Sequence, residues 1–381
     1  GRYVEQLGEE MREAGDWVRK MGVELPRKVD TIYLGGGTPS LLEPELMTKL
    51  FAAIRAEFDV ERDAEITVEC APGQVADATL ESMATAGVNR ASFGVQSFVN
   101  SEAKGSGRLH TGAVARQDIE RMRAAGITNL NVDLIAGLAG QTAESWDVSL
   151  DALVETRVPH ASIYMLEVDE ESRLGREILA GGTRYFAELV PTDDAITRMY
   201  EHALERLAPE GVAQYEISNM SREGFRSRHN LRYWQRRPYL GLGVDASSAL
   251  HAADSSERDA EGNMLLRATA TDDLKAYLAG EGGLATAETA WLSPERQHEE
   301  AWFLGLRLNE GVDVAAVRAA FGEVRVVRAL ESVRRLEEDA LVVLEGGRVR
   351  LTAQGRLLSN DVFQEFLTAG GEEEEMERPR V

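Results

Sequence analysis

The sequence predicts an α/β fold: a partial parallel β/α barrel of the TIM type, followed by a smaller α+β winged-helix-like domain. Through the first part of the chain, short apolar segments alternate with longer helical patterns, the order expected of parallel strands joined by crossover helices. Near residue 285 the pattern changes to consecutive helices and a hairpin. At 381 residues, the chain also exceeds what one hydrophobic core usually serves.

The chain opens at Gly1 directly into an amphipathic pattern, with Tyr3, Val4, Leu7, Met11, Ala14, Trp17, Val18 and Met21 near helical spacing, so it is expected to begin inside a fold. Strands are predicted at 29–34, 64–69, 90–95, 129–135, 160–166 and 212–217, with helices between them at 44–58, 76–86, 112–125, 142–157 and 192–208. Pro44 suits a first helical turn, and Thr192 followed by Asp193 and Asp194 reads as an N-cap with acids that the helix dipole favours. Helices at 293–308, 313–320 and 324–338 precede a hairpin, Leu341–Leu344 with Val349–Thr352, across Glu345-Gly346-Gly347. The domains expected are therefore a barrel over 1–250, a connecting segment over 251–290, the C-terminal domain over 291–367 and an acidic, disordered tail over 368–381.

The formal charge of -23, from 65 acidic against 42 basic side chains, repels phosphate backbones and anionic membranes over most of the surface. Nucleic-acid binding is not expected, even of a winged-helix-like module. No apolar run approaches the ~20 residues of a membrane helix, and no leader with a cleavage site opens the chain, so a cytoplasmic protein without an integral membrane segment is expected. The single cysteine, Cys70, rules out an intramolecular disulfide and a multi-cysteine metal site built from this chain alone.

Function is read from the strand ends. In a β/α barrel the C-terminal ends of the strands share one face, where active sites sit. Gly35-Gly36-Gly37-Thr38-Pro39-Ser40 follows the first predicted strand, where missing β-carbons let a ligand approach the backbone. Glu69 closes the next strand, Gln96 follows Gly94 on the third, Arg108 and His110 come after it, and Asp133 lies near the end of the fourth. Each alone is compatible with a turn, a cap or a solvated surface group. Together, two acids, an amide and an arginine around glycine-rich backbone suit a zwitterionic ligand that carries ribose hydroxyls.

In order and spacing, Gly35–Ser40, Glu69 with Pro72, Gly94–Phe98, Arg108 with His110 and Asn131–Thr142 resemble the oxygen-independent coproporphyrinogen oxidase-like branch of radical-SAM proteins. The similarity is strong over about residues 1–250 and looser beyond. It implies a radical-SAM barrel that binds S-adenosylmethionine (SAM): Gly36, Gly37 and Thr38 at the methionine end, Glu69 at the ammonium, Arg108 at the carboxylate, and Gln96 and Asp133 at the ribose hydroxyls. That branch also carries a C-x3-C-x2-C loop for a [4Fe-4S] cluster, just before the helix with which this chain opens. The loop and the first barrel strand are absent from this sequence, so the chain by itself is expected to hold no cluster and to be inactive in radical chemistry.

The stretch Arg222–Arg237 contains six arginines against one glutamate, a local reversal of charge that suggests an anionic ligand. Within it, His229-Asn230-Leu231-Arg232-Tyr233-Trp234 supplies an imidazole able to ligate iron, aromatic faces able to stack on a macrocycle, and guanidinium groups suited to propionates. A basic turn with packed aromatics would have the same composition. The motif H-N-x-x-Y-W is similar to that of HemW-type heme chaperones, and the flanking Tyr215–Asn219 and Pro238–Gly243 match the same branch. This resemblance implies a protein that binds heme and transfers it to an acceptor apoprotein, with His229 as the iron-ligand candidate and Asn230, Tyr233 and Trp234 at the ring. Two departures stand out: Ala139 replaces a proline of the G-L-P-G-Q-T motif, and Val244-Asp245-Ala246-Ser247-Ser248 lacks a histidine usual in G-A-H-S. The alternatives are an oxygen-independent coproporphyrinogen III oxidase, which shares the SAM residues, and a noncatalytic structural or regulatory barrel.

Overall fold

Helix α1 (Arg2–Met21) buries Val4, Leu7, Met11, Ala14, Trp17 and Val18 along one stripe and stops at Gly22, whose φ of 67° no β-branched residue accepts easily. The structure, a computed structural model, describes residues 1–167, 176, 180, 182, 184–253 and 264–367. The predicted acidic tail lies outside the described residues.

After α1 come β1 (Lys28–Leu34), α2 (Pro44–Glu57), β2 (Asp59–Cys70), α3 (Asp77–Ala86), β3 (Arg90–Gln96), α4 (Asn100–Gly105), α5 (Gly112–Ala124), β4 (Asn129–Ala136), α6 (Ala143–Thr156), β5 (His160–Met165) and α7 (Asp193–Leu207). The boundaries follow local chemistry. Pro44 starts α2, Thr142 and Ser145 form a reciprocal capping box on α6, and the Thr192 hydroxyl accepts from Ala195 N at the head of α7. Short α4 was not expected from the sequence.

The main sheet has seven strands in the order β1-β2-β3-β4-β5-β7-β6, with β1 to β5 parallel. This is the partial β/α barrel that the sequence predicts. The predicted sixth strand over 212–217 is different: it is a short β6 (Ala213–Gln214) that turns back into β7 (Asn219–Ser221), and β7 pairs antiparallel with both β5 and β6. Glu216 causes the reversal. Its Oε1 accepts from Ser218 N at 3.1 Å and from the Asn219 side-chain amide, which folds the chain on itself where the residue types alone read as extended.

Helix α8 (Arg228–Trp234) follows. Strands β8 (Ser247–His251), β9 (Leu265–Thr269) and β10 (Glu288–Leu292) form a three-stranded sheet in the order β10-β9-β8, and α9 (Leu274–Leu278) lies between the last two in sequence. The chain divides into two compact units. One takes Gly1–Leu231, Leu240–Ser248 and Ala268–Glu288; the other takes Arg232–Tyr239, Ala249–Arg267 and the part from Thr289 onward.

The second unit contains α10 (Pro294–Leu306), β11 (Val312–Asp313), α11 (Val314–Phe321), α12 (Glu323–Glu338), β12 (Val342–Glu345) and β13 (Arg348–Leu351), with strand order β11-β13-β12. The predicted hairpin is present: β12 and β13 pair antiparallel around Gly346 and Gly347, whose φ values of 60° and 77° suit a two-residue turn. Trp302 centres this unit, stacked on Phe366 at 5.1 Å and donating its indole N–H to His298 at 3.0 Å. Among the described residues, no helix is long and apolar enough to cross a membrane.

Candidate functional site

Alternate residues of a strand face opposite sides of its sheet. On β2 to β5 one face is apolar and buried: Ile66, Val68, Ala91, Phe93, Val95, Leu130, Val132, Leu134, Ala161 and Ile163. The other carries Glu65, Thr67 and Glu69; Arg90, Ser92, Gly94 and Gln96; Asn131 and Asp133; His160 and Ser162. Parallel register lines these up, since Leu34 pairs with Val68, Glu69 with Ser92, Gly94 with Asp133, and Asp133 with Ser162. A polar inner face replaces the branched apolar layers that usually fill such a barrel.

At the C-terminal ends, Gly36 and Gly37 adopt φ of 77° and 105° with open space where a β-carbon would stand, and Thr38 follows at the head of a short turn of helix. Gly35 has no such room: a β-carbon there would lie 2.9 Å from Glu69 Oε1 and 2.7 Å from the Tyr33 ring. Burial raises the Glu69 pKa, against hydrogen bonds from Tyr33 and from Gly36 N–H that lower it. Gln96 ends β3 at φ 66°, and its Oε1 is a buried acceptor with no partner. The Arg108 guanidinium lies over Gly94, where a β-carbon would come within 3.2 Å of it. Asp133 is also raised by burial, although it accepts from Asn131 Nδ2 at 2.7 Å and from the Ser162 and Ser92 hydroxyls.

Below Asp133 the inner face forms one continuous network. Asn131 Oδ1 meets His160 Nδ1 at 2.6 Å, and His160 Nε2 meets the Tyr215 hydroxyl at 2.9 Å. An amide oxygen only accepts, so His160 carries its proton on Nδ1 and Tyr215 donates to Nε2. Burial and the nearby Arg90 charge hold His160 well below its ordinary pKa, in agreement with this neutral tautomer. Tyr215 in turn accepts from Ser227 N at 3.2 Å, just ahead of α8.

The start of α8 is fixed by Glu65, whose carboxylate accepts from Arg228 N at 3.1 Å and His229 N at 3.0 Å. Ser227 Oγ accepts from Asn230 N at 3.2 Å. The His229 imidazole stacks on Tyr33 with centroids 4.9 Å apart and 22° between planes, and its Nδ1 is 3.0 Å from Thr31 Oγ1. The Tyr33 hydroxyl donates to Glu69 Oε1 at 2.8 Å. His229 is therefore one ring away from the carboxylate at the strand top. Tyr233 and Trp234 belong to the other unit. There Tyr233 packs edge-on to Tyr239 at 4.8 Å, with its pKa pushed up to about 12 by burial, and Arg307 covers the buried Trp234 ring at 4.2 Å.

Sequence reasoning singled out His229, Glu69 and Asp133 but missed Thr31, Tyr33, Glu65, His160 and Ser162, which connect them. The available signal was a polar residue at every second position inside strands whose intervening residues are apolar.

Residues 6–153 match the radical SAM superfamily and residues 292–358 the HemN C-terminal domain. The chain is 33% identical over 340 residues to the heme chaperone HemW of Lactococcus lactis, covering 89% of this chain and 85% of the relative. The chain belongs to the HemW family of radical-SAM proteins. It is also 32% identical to the Bacillus subtilis heme chaperone HemW, across 88% of this chain and 85% of that one. Among solved structures it is similar in fold to the coproporphyrinogen III oxidase HemN of Escherichia coli, with a TM-score of 0.75 at 20% identity, covering 96% of this chain and 82% of the other.

Membership of the radical-SAM superfamily implies SAM and a [4Fe-4S] cluster. The strand-top residues of this HemW-family chain fit SAM. Gln96 Oε1 is an orphaned buried acceptor, the Arg108 guanidinium has no carboxylate partner among the described residues, Glu69 is an ionisable acid facing the same end, and Gly36 and Gly37 leave room for a ligand. The residues of this chain do not fit the cluster. The single cysteine, Cys70, is buried with its thiol pushed up to about 12, and no group of three or more His, Cys, Asp or Glu suited to a metal occurs among the described residues.

Proposed function

We propose that this chain captures heme and passes it to an acceptor apoprotein, and that it holds SAM at the strand ends. The observation that carries this reading is the place of His229. The imidazole of the H-N-x-x-Y-W motif is fixed against Tyr33 and Thr31 on the polar inner face, next to Glu69, instead of forming a surface turn.

In this reading Glu69 receives the SAM ammonium and Arg108 its carboxylate, Gln96 and Asp133 hold the ribose hydroxyls, and Gly36, Gly37 and Thr38 border the methionyl end. Bound SAM supplies a sulfonium cation with two charged methionyl groups, and these protein groups orient it by charge-assisted hydrogen bonds. His229 ligates heme iron through its imidazole, with Asn230 beside it at the head of the same short helix. The heme-chaperone names of the relatives support the choice of cargo.

The test is a heme titration of the wild type and His229→Ala, followed at the Soret band, with an iron-free porphyrin as comparison. Saturable one-to-one binding of heme, lost or with a displaced Soret maximum in the variant and absent for the iron-free ring, is expected. Equal Soret spectra and affinities for both proteins would remove His229 from the site.

A further inference from the structure

We propose that Tyr33 is a positioning residue that links SAM at Glu69 to the geometry of His229, so that SAM and heme bind with positive cooperativity. This rests on the assignment of His229 as iron ligand and extends it to a regulation of that site. Tyr33 alone among the inner-face residues described above touches both groups: its hydroxyl donates to Glu69 Oε1 at 2.8 Å, and its ring stacks on the His229 imidazole at 4.9 Å. The link is closely walled. A single β-carbon at Gly35 would come within 2.7 Å of the Tyr33 ring and 2.9 Å of Glu69 Oε1.

Glu65 and Thr31 also fix His229. Its main-chain N–H is held by Glu65 at 3.0 Å and its Nδ1 by Thr31 at 3.0 Å. The stack on Tyr33 is the contact that joins the imidazole to the hydrogen bond on Glu69. An ammonium on the Glu69 carboxylate fixes the orientation of that carboxylate by a charge-assisted hydrogen bond. A carboxylate held in one orientation holds the phenol hydroxyl that donates to it, and with it the ring plane against which His229 rests. An imidazole already held in place loses less freedom when it meets iron, so heme binds more tightly when SAM is present. Linkage requires heme to tighten SAM by the same factor.

The experiment measures heme affinity by Soret titration with and without saturating SAM, for the wild type, Tyr33→Phe and Thr31→Val, after SAM binding has been established by equilibrium dialysis. In the wild type SAM tightens heme by about 5-fold or more. Tyr33→Phe keeps the ring stack and loses the hydrogen bond, so it still binds heme and SAM but the ratio falls to near unity. Thr31→Val weakens heme equally in both conditions and keeps the wild-type ratio.

A wild-type ratio of unity overturns the inference. So does a Tyr33→Phe protein with the wild-type ratio, which would route coupling through Asp133, Asn131, His160 and Tyr215, and so does loss of both ligands in Tyr33→Phe, which would make Tyr33 merely structural. A chain that takes no SAM removes the role of Glu69 and the inference with it. Failure of the underlying reading looks different: His229→Ala then binds heme as the wild type does.

Discussion

The two faces of the main sheet are made by the same strands and obey opposite rules. Toward the helices, Ile66, Val68, Phe93, Val95, Leu130, Val132, Leu134 and Ile163 are buried and apolar, as an α/β layer requires. On the other face, at alternating positions, stand Glu65, Thr67, Glu69, Arg90, Ser92, Asn131, Asp133, His160 and Ser162. Burying such groups opposes folding unless each finds a partner, and Thr67 Oγ1, Arg90 Nε and Gln96 Oε1 find none. One face therefore supplies the stability that the other draws on, a division expected where a ligand site replaces a packed barrel interior.

Substitutions on the two faces should separate accordingly. Phe93 is fully buried on the apolar face, and Phe93→Ala is expected to lower unfolding free energy by about 3–5 kcal/mol, read from the urea midpoint. A loss below about 1 kcal/mol would mean that the apolar face is not the main support of the sheet. On the ligand face, Arg108→Ala is expected to weaken SAM by about 10-fold or more, the worth of a hydrogen bond to a charged group, with little change in the midpoint. Exposed Arg19→Ala serves as the control; equal SAM affinity in both variants would remove Arg108 from the site.

Asp133 sharpens the comparison because its two effects have opposite sign. Its carboxylate is half-buried and desolvation raises its pKa, so the ionised form is disfavoured in the folded state. Its contribution to stability is present below the ordinary value of 3.8 and is lost as pH rises through the folded pKa. Asp133→Asn keeps an acceptor for Asn131 and removes the charge. The variant is expected to bind SAM about 10-fold more weakly and to unfold at an equal or higher urea concentration at neutral pH. A variant that loses stability while SAM affinity is unchanged would make Asp133 a structural residue.

Much of this arrangement is legible in the sequence, for reasons that are local. Pro44, Thr142, Thr192 and the Gly346-Gly347 turn act on their own neighbours, and the helices and hairpin lie within a residue or two of where those signals place them. Glycines and polar residues after strands likewise mark one end of the sheet. What is not legible is contact across sequence. Tyr33 and His229 are far apart in the chain, as are Glu65 and Arg228, and within its own strand Tyr33 reads as an ordinary β-former. The misread sixth strand has the same origin: Tyr215-Glu216-Ile217 has strand composition, and its reversal depends on where the Glu216 carboxylate points.

The smallest expected effect is the one that separates the inner-face network from the ligand residues at its top. His160 has no place in the SAM or heme assignment, yet it sits between Asn131 and Tyr215 and is held neutral by burial. Its folded pKa lies well below the ordinary 6.5, so below pH 6.5 the unfolded chain takes up a proton that the native chain does not. Stability therefore falls as pH falls through that window, the reverse of the slope from Asp133 and Glu69. One pH unit below 6.5 the His160 contribution is at most about 1.4 kcal/mol, the value of one unit in a proton equilibrium. His160→Gln is expected to flatten the fall in urea midpoint between pH 7 and pH 5.5 while leaving SAM affinity within about 3-fold of wild type, a change of well under one pK unit in free energy. An unchanged pH slope would mean that His160 titrates in the folded state, and the proton assignment from Asn131 through Tyr215 would have to be redrawn with a charged imidazole at its centre.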